Sequence, residues 1–211
     1  MKTALLIGAT GLVGSQILRQ LLADARYETV LALTRRPFDV EHPKLKQVII
    51  NFDHPDPAQI RGDELFCALG TTLRKAGSKE AQYRIDCTYP YEIGKIAREN
   101  GVGKYLLVSS LGADAQSANF YLRTKGELEE KLAALEFPVF VSARPSILLG
   151  KRPEFRLGEK IGIVLAQAFA FLIPKKYRGI ADQQVARALL ALANQDLEGT
   201  HVIESDQLRQ Y

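Results

Sequence analysis

The sequence predicts an α/β fold: a doubly wound parallel sheet with helices on both faces and a small C-terminal extension. Three observations carry that prediction. Short apolar runs of strand length alternate with amphipathic runs of helical period along most of the chain. The first apolar run breaks into glycines at three-residue spacing, Gly8, Gly11 and Gly14, within TALLIGATGLVGSQ. Around and after them Leu12, Val13, Ile17, Leu18, Leu21 and Leu22 repeat with helical spacing, so strand, tight turn and helix succeed one another without a gap.

Composition bounds the rest. A chain of 211 residues, 46% hydrophobic and 25% charged, suits one domain spanning 1–211 with a sizeable core. Within it, 151–211 are expected to supply a small substrate-binding or oligomer-forming portion. The net charge of +4 is mild and the basic residues are dispersed, which argues against nucleic acid and fits a small anionic ligand. Cys67 and Cys87, without C-x-x-C spacing, read as reduced thiols of a cytoplasmic protein. His42, His54 and His201 show no metal-ligand spacing, and no metal is expected. The chain starts MKTALLI, but the glycines together with Gln16, Arg19 and Gln20 interrupt any continuous apolar region, so the start does not read as a secretory signal.

Glycines at 8, 11 and 14 allow a sharp reversal, close approach of backbone to a ligand, and tight packing of the new helix on the strand. The first free N–H groups of that helix, with the positive end of its dipole behind them, stabilise a pyrophosphate without a cationic side chain. This is the Rossmann-type arrangement for a dinucleotide. The second strand, 28–34, ends in Arg35-Arg36-Pro37. An acid at this place accepts hydrogen bonds from ribose hydroxyls, whereas an arginine fork matches a 2′-phosphate, so Arg35 points to NADP(H).

A third strand, 47–51, closes on Phe52-Asp53, where Asp53 is either a partner for an adenine amino group or a turn residue. The fourth, 64–69, ends in Leu69 and then Gly70-Thr71-Thr72, which suggests backbone lying against a ligand. Arg74 and Lys75 then read as a solvated loop. The spacing predicts a helix over 78–100 with Ile85, Tyr89, Ile93 and Ile96 on one face. A fifth strand, 104–108, stops at Ser109-Ser110, and a helix from 119 or 120 to 135 carries YLRTK. The sixth strand, 139–143, leads into Arg144-Pro145-Ser146-Ile147. The apolar run 161–173, broken only by Gln167, reads as a buried helix or oligomer contact, being short for a membrane span. Asp182 caps a last helix with Val185, Leu189 and Leu192 inward, and 200–203 form a final strand.

Parallel strands deliver ligands and catalytic groups to their carboxyl ends, where Gly8, Arg35, Gly70, Ser110 and Pro145 all fall. Tyr121 and Lys125, four apart, share one helical face beside a serine at a strand end. That trio suits hydride transfer to a carbonyl: the phenol gives its proton to the developing alkoxide, a neighbouring ammonium favours the phenolate, and the serine hydroxyl orients the oxygen. Tyr91 and Lys95 repeat the spacing, but no serine pair leads up to them, so they are assigned to packing.

With GATGLVG, VSS, YLRTK and ARPSILLG in order, the chain resembles the short-chain dehydrogenase/reductase superfamily over at least residues 1–150. LGTTLRKAGSKE and RPSILLGKRPEFRLGEK look most like the compact, atypical NAD(P)H-binding members related to the Tat-interacting, metastasis-suppressor-type oxidoreductases. The resemblance implies that Gly8, Thr10, Gly11, Leu12 and Val13 hold the pyrophosphate and Arg35 the 2′-phosphate. It makes Tyr121, Lys125 and Ser110 or Ser109 the catalytic set, with Pro145 and Ile147 lining the nicotinamide. A homodimer through helix faces is common in that superfamily. The expectation is an NADP(H)-dependent oxidoreductase acting on a small carbonyl or alcohol. The alternatives are a redox sensor or adaptor that binds NADP(H) without turnover, and an epimerase- or dehydratase-like isomerase using bound NAD(P). Arg152, Arg156 and Lys160 read as a solvated loop rather than a substrate anion site.

Overall fold

The computed structural model describes residues 1–150 and 174–211. Nine strands are described: β1 (Lys2–Ile7), β2 (Tyr27–Thr34), β3 (Leu45–Ile49), β4 (Glu64–Cys67), β5 (Lys104–Val108), β6 (Val139–Arg144), β7 (Leu148–Leu149), β8 (Ile180–Ala181) and β9 (Gly199–Glu204). Seven form one sheet in the order β3-β2-β1-β4-β5-β6-β9, and every neighbouring pair is parallel. The chain runs outward from β1 through β2 to β3, then returns to place β4 on the other side of β1. A topological switch point therefore lies between the carboxyl ends of β1 and β4, where doubly wound folds hold ligands.

Alternation along the strands builds two cores. Ala4, Leu6, Val30, Ala32, Phe66 and Leu106 face one layer, where α1 (Leu12–Ala23) supplies Val13, Ile17 and Leu21. Leu5, Ile7, Leu33, Leu65, Cys67 and Leu107 face the other, against Ile93, Ala97, Leu128 and Leu132. Strands buried on both faces are what a fully parallel sheet requires. The helices on the second face come after α2 (Leu73–Ala76) and α3 (Lys79–Tyr83) in sequence; they are α4 (Tyr89–Glu99) and α5 (Phe120–Ala133). On the first face α6 (Asp182–Ala193) packs beside α1, and α7 (Ser205–Leu208) closes the chain with a capping box between Glu204 and Gln207.

Several boundaries differ from the sequence reading. Pairing with β2 sets β3 at Leu45–Ile49, from Val30 opposite Leu45 to Thr34 opposite Ile49. The fourth strand stops at Cys67, although the Ala68 N–H still donates to the Ile7 carbonyl at 2.9 Å. Asp182 is the first residue of α6 rather than its cap, which is Ala181. The short pair of β7 and β8 has too few residues to leave a periodic trace. Arg152, Arg156, Lys160 and the apolar run 161–173 lie outside the described residues, and among the described residues no helix is long and apolar enough to cross a membrane.

The largest difference is inside the expected helix over 78–100. It is interrupted by a π turn at Arg84–Thr88, where the Tyr89 N–H reaches back five residues to the Arg84 carbonyl. Pro90 explains it: proline has no N–H to donate to Asp86, and its ring crowds a carbonyl four residues back, so the turn widens. The widening shifts the inward register. Asp86 and Cys87 become fully buried, while Ile85, expected on the apolar face, is only half-buried.

Candidate functional site

The carboxyl ends of the strands share one edge, and the site is built there. Gly8 has φ +85°, and a Cβ on it would lie 2.5 Å from the Ala68 carbonyl, so only glycine lets the ends of β1 and β4 approach this closely. A Cβ on Gly14 would overlap the Gly8 carbonyl oxygen, so the first turn of α1 is pressed onto the glycine turn. Gly11 is the N-cap of α1 and makes no side-chain cap bond, and no acidic residue stands in the first turn. The leading N–H groups of α1, from Leu12 and Val13 onward, are thus left for an outside acceptor, with Thr10 exposed beside them. A diphosphate fits this cradle.

Arg35 is exposed just past β2, in a loop tied by the Thr34 hydroxyl to the Arg36 carbonyl at 2.9 Å. Among the described residues no carboxylate pairs with it. Asp53 stands in the loop after β3. It accepts from the Tyr89 hydroxyl at 2.8 Å and stands 3.7 Å from Arg84, on a cavity of about 650 Å³ also lined by Asn51, His54 and Glu92. That cavity does not include the glycine turn. Leu69 and Gly70 follow β4 after Ala68, and the Thr71 N–H donates to the Asp86 carboxylate at 2.6 Å.

The two serines after β5 part company. Ser109 is buried and its hydroxyl donates to Glu129. Ser110 is half-buried, and among the described residues its hydroxyl makes only a long contact, to the Leu111 carbonyl at 3.4 Å. Glu129 also receives the guanidinium of Arg144, through Nε at 3.1 Å and Nη2 at 2.6 Å. This fork joins α5 to the ends of β5 and β6. Beside it, burial would lower the Arg144 pKa, but the Glu129 hydrogen bond outweighs burial and holds the pKa above its ordinary value. Pro145 is buried and its carbonyl accepts from the Leu111 N–H at 2.9 Å, while Ile147 presents a side chain 71% exposed.

On α5, Asn119 caps the first turn by accepting from the Leu122 N–H at 3.1 Å. Tyr121 in that turn is 37% exposed, whereas Lys125, one turn further, is 3% exposed. Burial alone would push the Lys125 ammonium toward losing its proton. Tyr121, Asp86, Cys67 and Cys87 together outweigh burial and hold its pKa above the ordinary lysine value. Asp86 is pushed up by burial, against the opposing pull of Lys125, the Thr71 N–H and the Gln82 amide. The rival pair is unlike this one: Tyr91 packs beneath Lys131, whose Nζ is 5.9 Å from the ring centroid, and Lys95 is exposed.

Sequence reading did not single out Asp86, Glu129 or Arg144. Glu129 did leave a signal, since Tyr121, Lys125 and Glu129 recur at intervals of four on one helical face. Asp86 left none, because the π turn that aims it inward breaks the period.

Residues 8–196 match the NAD(P)H-binding family. The mitochondrial protein FMP52 of Debaryomyces hansenii is 37% identical over 205 residues, covering 92% of this chain and 89% of the relative. FMP52 of Meyerozyma guilliermondii, also named mitochondrial, is 35% identical over 207 residues, with 93% and 88% covered. Among solved structures, MoeE5 in complex with UDP-glucuronic acid and NAD superposes with a TM-score of 0.74 at 16% identity, covering 95% of this chain and 75% of that one. That likeness is one of fold, the Rossmann-type sheet. The names of the FMP52 relatives overturn the expectation of a cytoplasmic protein. That expectation rested on two cysteines, and both are fully buried, so seclusion from solvent alone accounts for free thiols and they report no compartment.

Proposed function

Because the chain belongs to the NAD(P)H-binding family, we propose that it is an NADPH-dependent oxidoreductase of the short-chain dehydrogenase/reductase type, acting on a small carbonyl compound or the matching alcohol. The observation that carries this reading is a buried lysine one helical turn from a tyrosine that is 37% exposed on the same helix. Bound NADPH supplies the hydride. Tyr121 gives its hydroxyl proton to the substrate oxygen as negative charge develops there, and the Lys125 ammonium stabilises the phenolate left behind. Ser110 is read as the orienting hydroxyl, because Ser109 is committed to Glu129. The N–H groups at the start of α1 would hold the diphosphate, Arg35 the 2′-phosphate, and Leu69 to Thr71 with Pro145 and Ile147 the remaining length of the dinucleotide. The finer kinship, to the Tat-interacting, metastasis-suppressor-type oxidoreductases, rests on the segments LGTTLRKAGSKE and RPSILLGKRPEFRLGEK.

A fluorescence titration with NADPH and NADH, on the wild-type protein and on Arg35→Ala, tests the cofactor. Losing one charge-assisted contact to the 2′-phosphate is expected to weaken NADPH roughly 10- to 100-fold. NADH is expected to be unaffected. Equal weakening of both cofactors would refute the role of Arg35, and binding of neither by the wild type would refute the cofactor reading itself.

A further inference from the structure

We propose that Asp86 is a positioning residue for the site, facing the Lys125 ammonium beneath Gly70 and fixing the loop after β4 at Thr71. This inference rests on the reading of Tyr121 and Lys125 given above. Asp86 is 0% exposed and Lys125 3% exposed, so neither charge is hydrated by bulk water. Both reach the underside of the same loop: a Cβ on Gly70 would lie 3.6 Å from Asp86 Oδ1 and 3.8 Å from Lys125 Nζ. The carboxylate is tied in place by the Thr71 N–H at 2.6 Å to Oδ1 and by the Gln82 amide at 3.3 Å to Oδ2.

The groups that act on Lys125 come from three elements: Tyr121 from its own helix, Asp86 and Cys87 from the π turn, and Cys67 from the end of β4. Asp86 is the one carboxylate among them. A buried ammonium without an opposite charge sheds its proton, and a neutral amine one turn from Tyr121 would not stabilise a phenolate. Asp86 therefore supplies what the lysine needs to remain a cation away from water. The same carboxylate fixes Thr71, so the lysine and the backbone expected to meet the cofactor share one anchor. Pro90 belongs to this device as well, since the π turn it imposes carries Asp86 inward.

The test is an NMR titration of protein labelled with ¹³C at lysine Cε, with the Lys125 signal assigned by its loss in Lys125→Met. Asp86→Asn keeps an acceptor for the Thr71 N–H and removes the charge. In that variant Lys125 is expected to titrate roughly 1–3 pH units lower than in the wild type, the shift a nearby opposite charge confers. An unmoved titration would overturn the proposal. NADPH titration of Asp86→Ala, which also frees Thr71, is expected to show weaker binding than Asp86→Asn; equal binding by the two would refute the second half of the role. Should Asp86→Asn unfold, thermal midpoints decide. Lys125→Met strands the Asp86 carboxylate, so adding Asp86→Asn to it is expected to restore stability, whereas additive losses would refute the coupling. Failure of the wild type to bind NADPH would sink the cofactor reading and leave the titration of Lys125 measurable.

Discussion

At the amino edge of the sheet, the Tyr27 hydroxyl donates to Glu64 at 2.6 Å and Lys2 pairs with the same carboxylate at 2.5 Å. Asn194 closes the ring, accepting from Lys2 at 3.0 Å and donating to the Tyr27 oxygen at 3.1 Å. At the carboxyl edge Tyr121, Lys125 and Asp86 again combine a tyrosine, a lysine and an acid. The burial is inverted. Tyr27 is fully buried and the Lys2 side chain 34% exposed, whereas Lys125 is buried and Tyr121 is open. Burial first, and the bond to Glu64 second, drive the Tyr27 pKa above that of a free phenol, which favours the protonated hydroxyl as the donor to Glu64. The same kinds of side chain thus make a structural clamp at one edge and, in the function proposed above, a proton donor at the other, according to which member faces water.

The sharpest way to break that comparison is to remove each hydroxyl. Tyr121→Phe is expected to leave the melting temperature and NADPH binding in place and to lower turnover by about 10²–10⁴, the usual worth of a positioned acid. Normal turnover in this variant, on any carbonyl substrate the wild type reduces, would abolish the distinction between the edges. Tyr27→Phe is expected to do the reverse. Glu64 loses a donor in the interior, which costs about 1–3 kcal/mol of stability in denaturant unfolding, while turnover per folded molecule is retained.

A smaller effect separates the edges by pH. The folded-state pKa of Tyr27 lies above its unfolded value of 10.0, so its stabilisation is fully present below pH 10 and is lost as the pH rises beyond it. The stability gap between the wild type and Tyr27→Phe is therefore expected to close by about 1.4 kcal/mol per pH unit above pH 10. A gap that stays constant to pH 11 would mean that Tyr27 is not held as a neutral donor. The smallest effect is expected at Gly70, where an added Cβ makes only ordinary contacts. Gly70→Ala should melt within about 0.5 kcal/mol of the wild type in stability, as unstrained substitutions do.

How much of this was legible depended on the period of each element. Gly8, Gly11 and Gly14 are local, so the turn, the strand it closes and the helix it opens could be read directly. Tyr121 and Lys125 were legible because α5 is regular. Asp86 was not, because Pro90 unwinds one turn and the helical period placed Ile85 inward instead. Neither was the amino-edge ring, whose members at 2, 27, 64 and 194 meet only through the sheet order. The choice between Ser109 and Ser110 also lay beyond the sequence, since it depends on Glu129 and Arg144 arriving from two other elements.

The two buried thiols give the protein a built-in clock for opening. Cys67 ends β4 at the centre of the sheet, and Cys87 sits in the π turn on its face, both fully covered. A maleimide can reach neither until the structure around it parts. Cys67 is expected to be labelled only as fast as the whole sheet opens, and Cys87 as fast as the helix around Pro90 detaches. If labelling at Cys87 runs ahead, the turn that carries Asp86 is an independently opening unit, and the positioning of the lysine is renewed each time it closes.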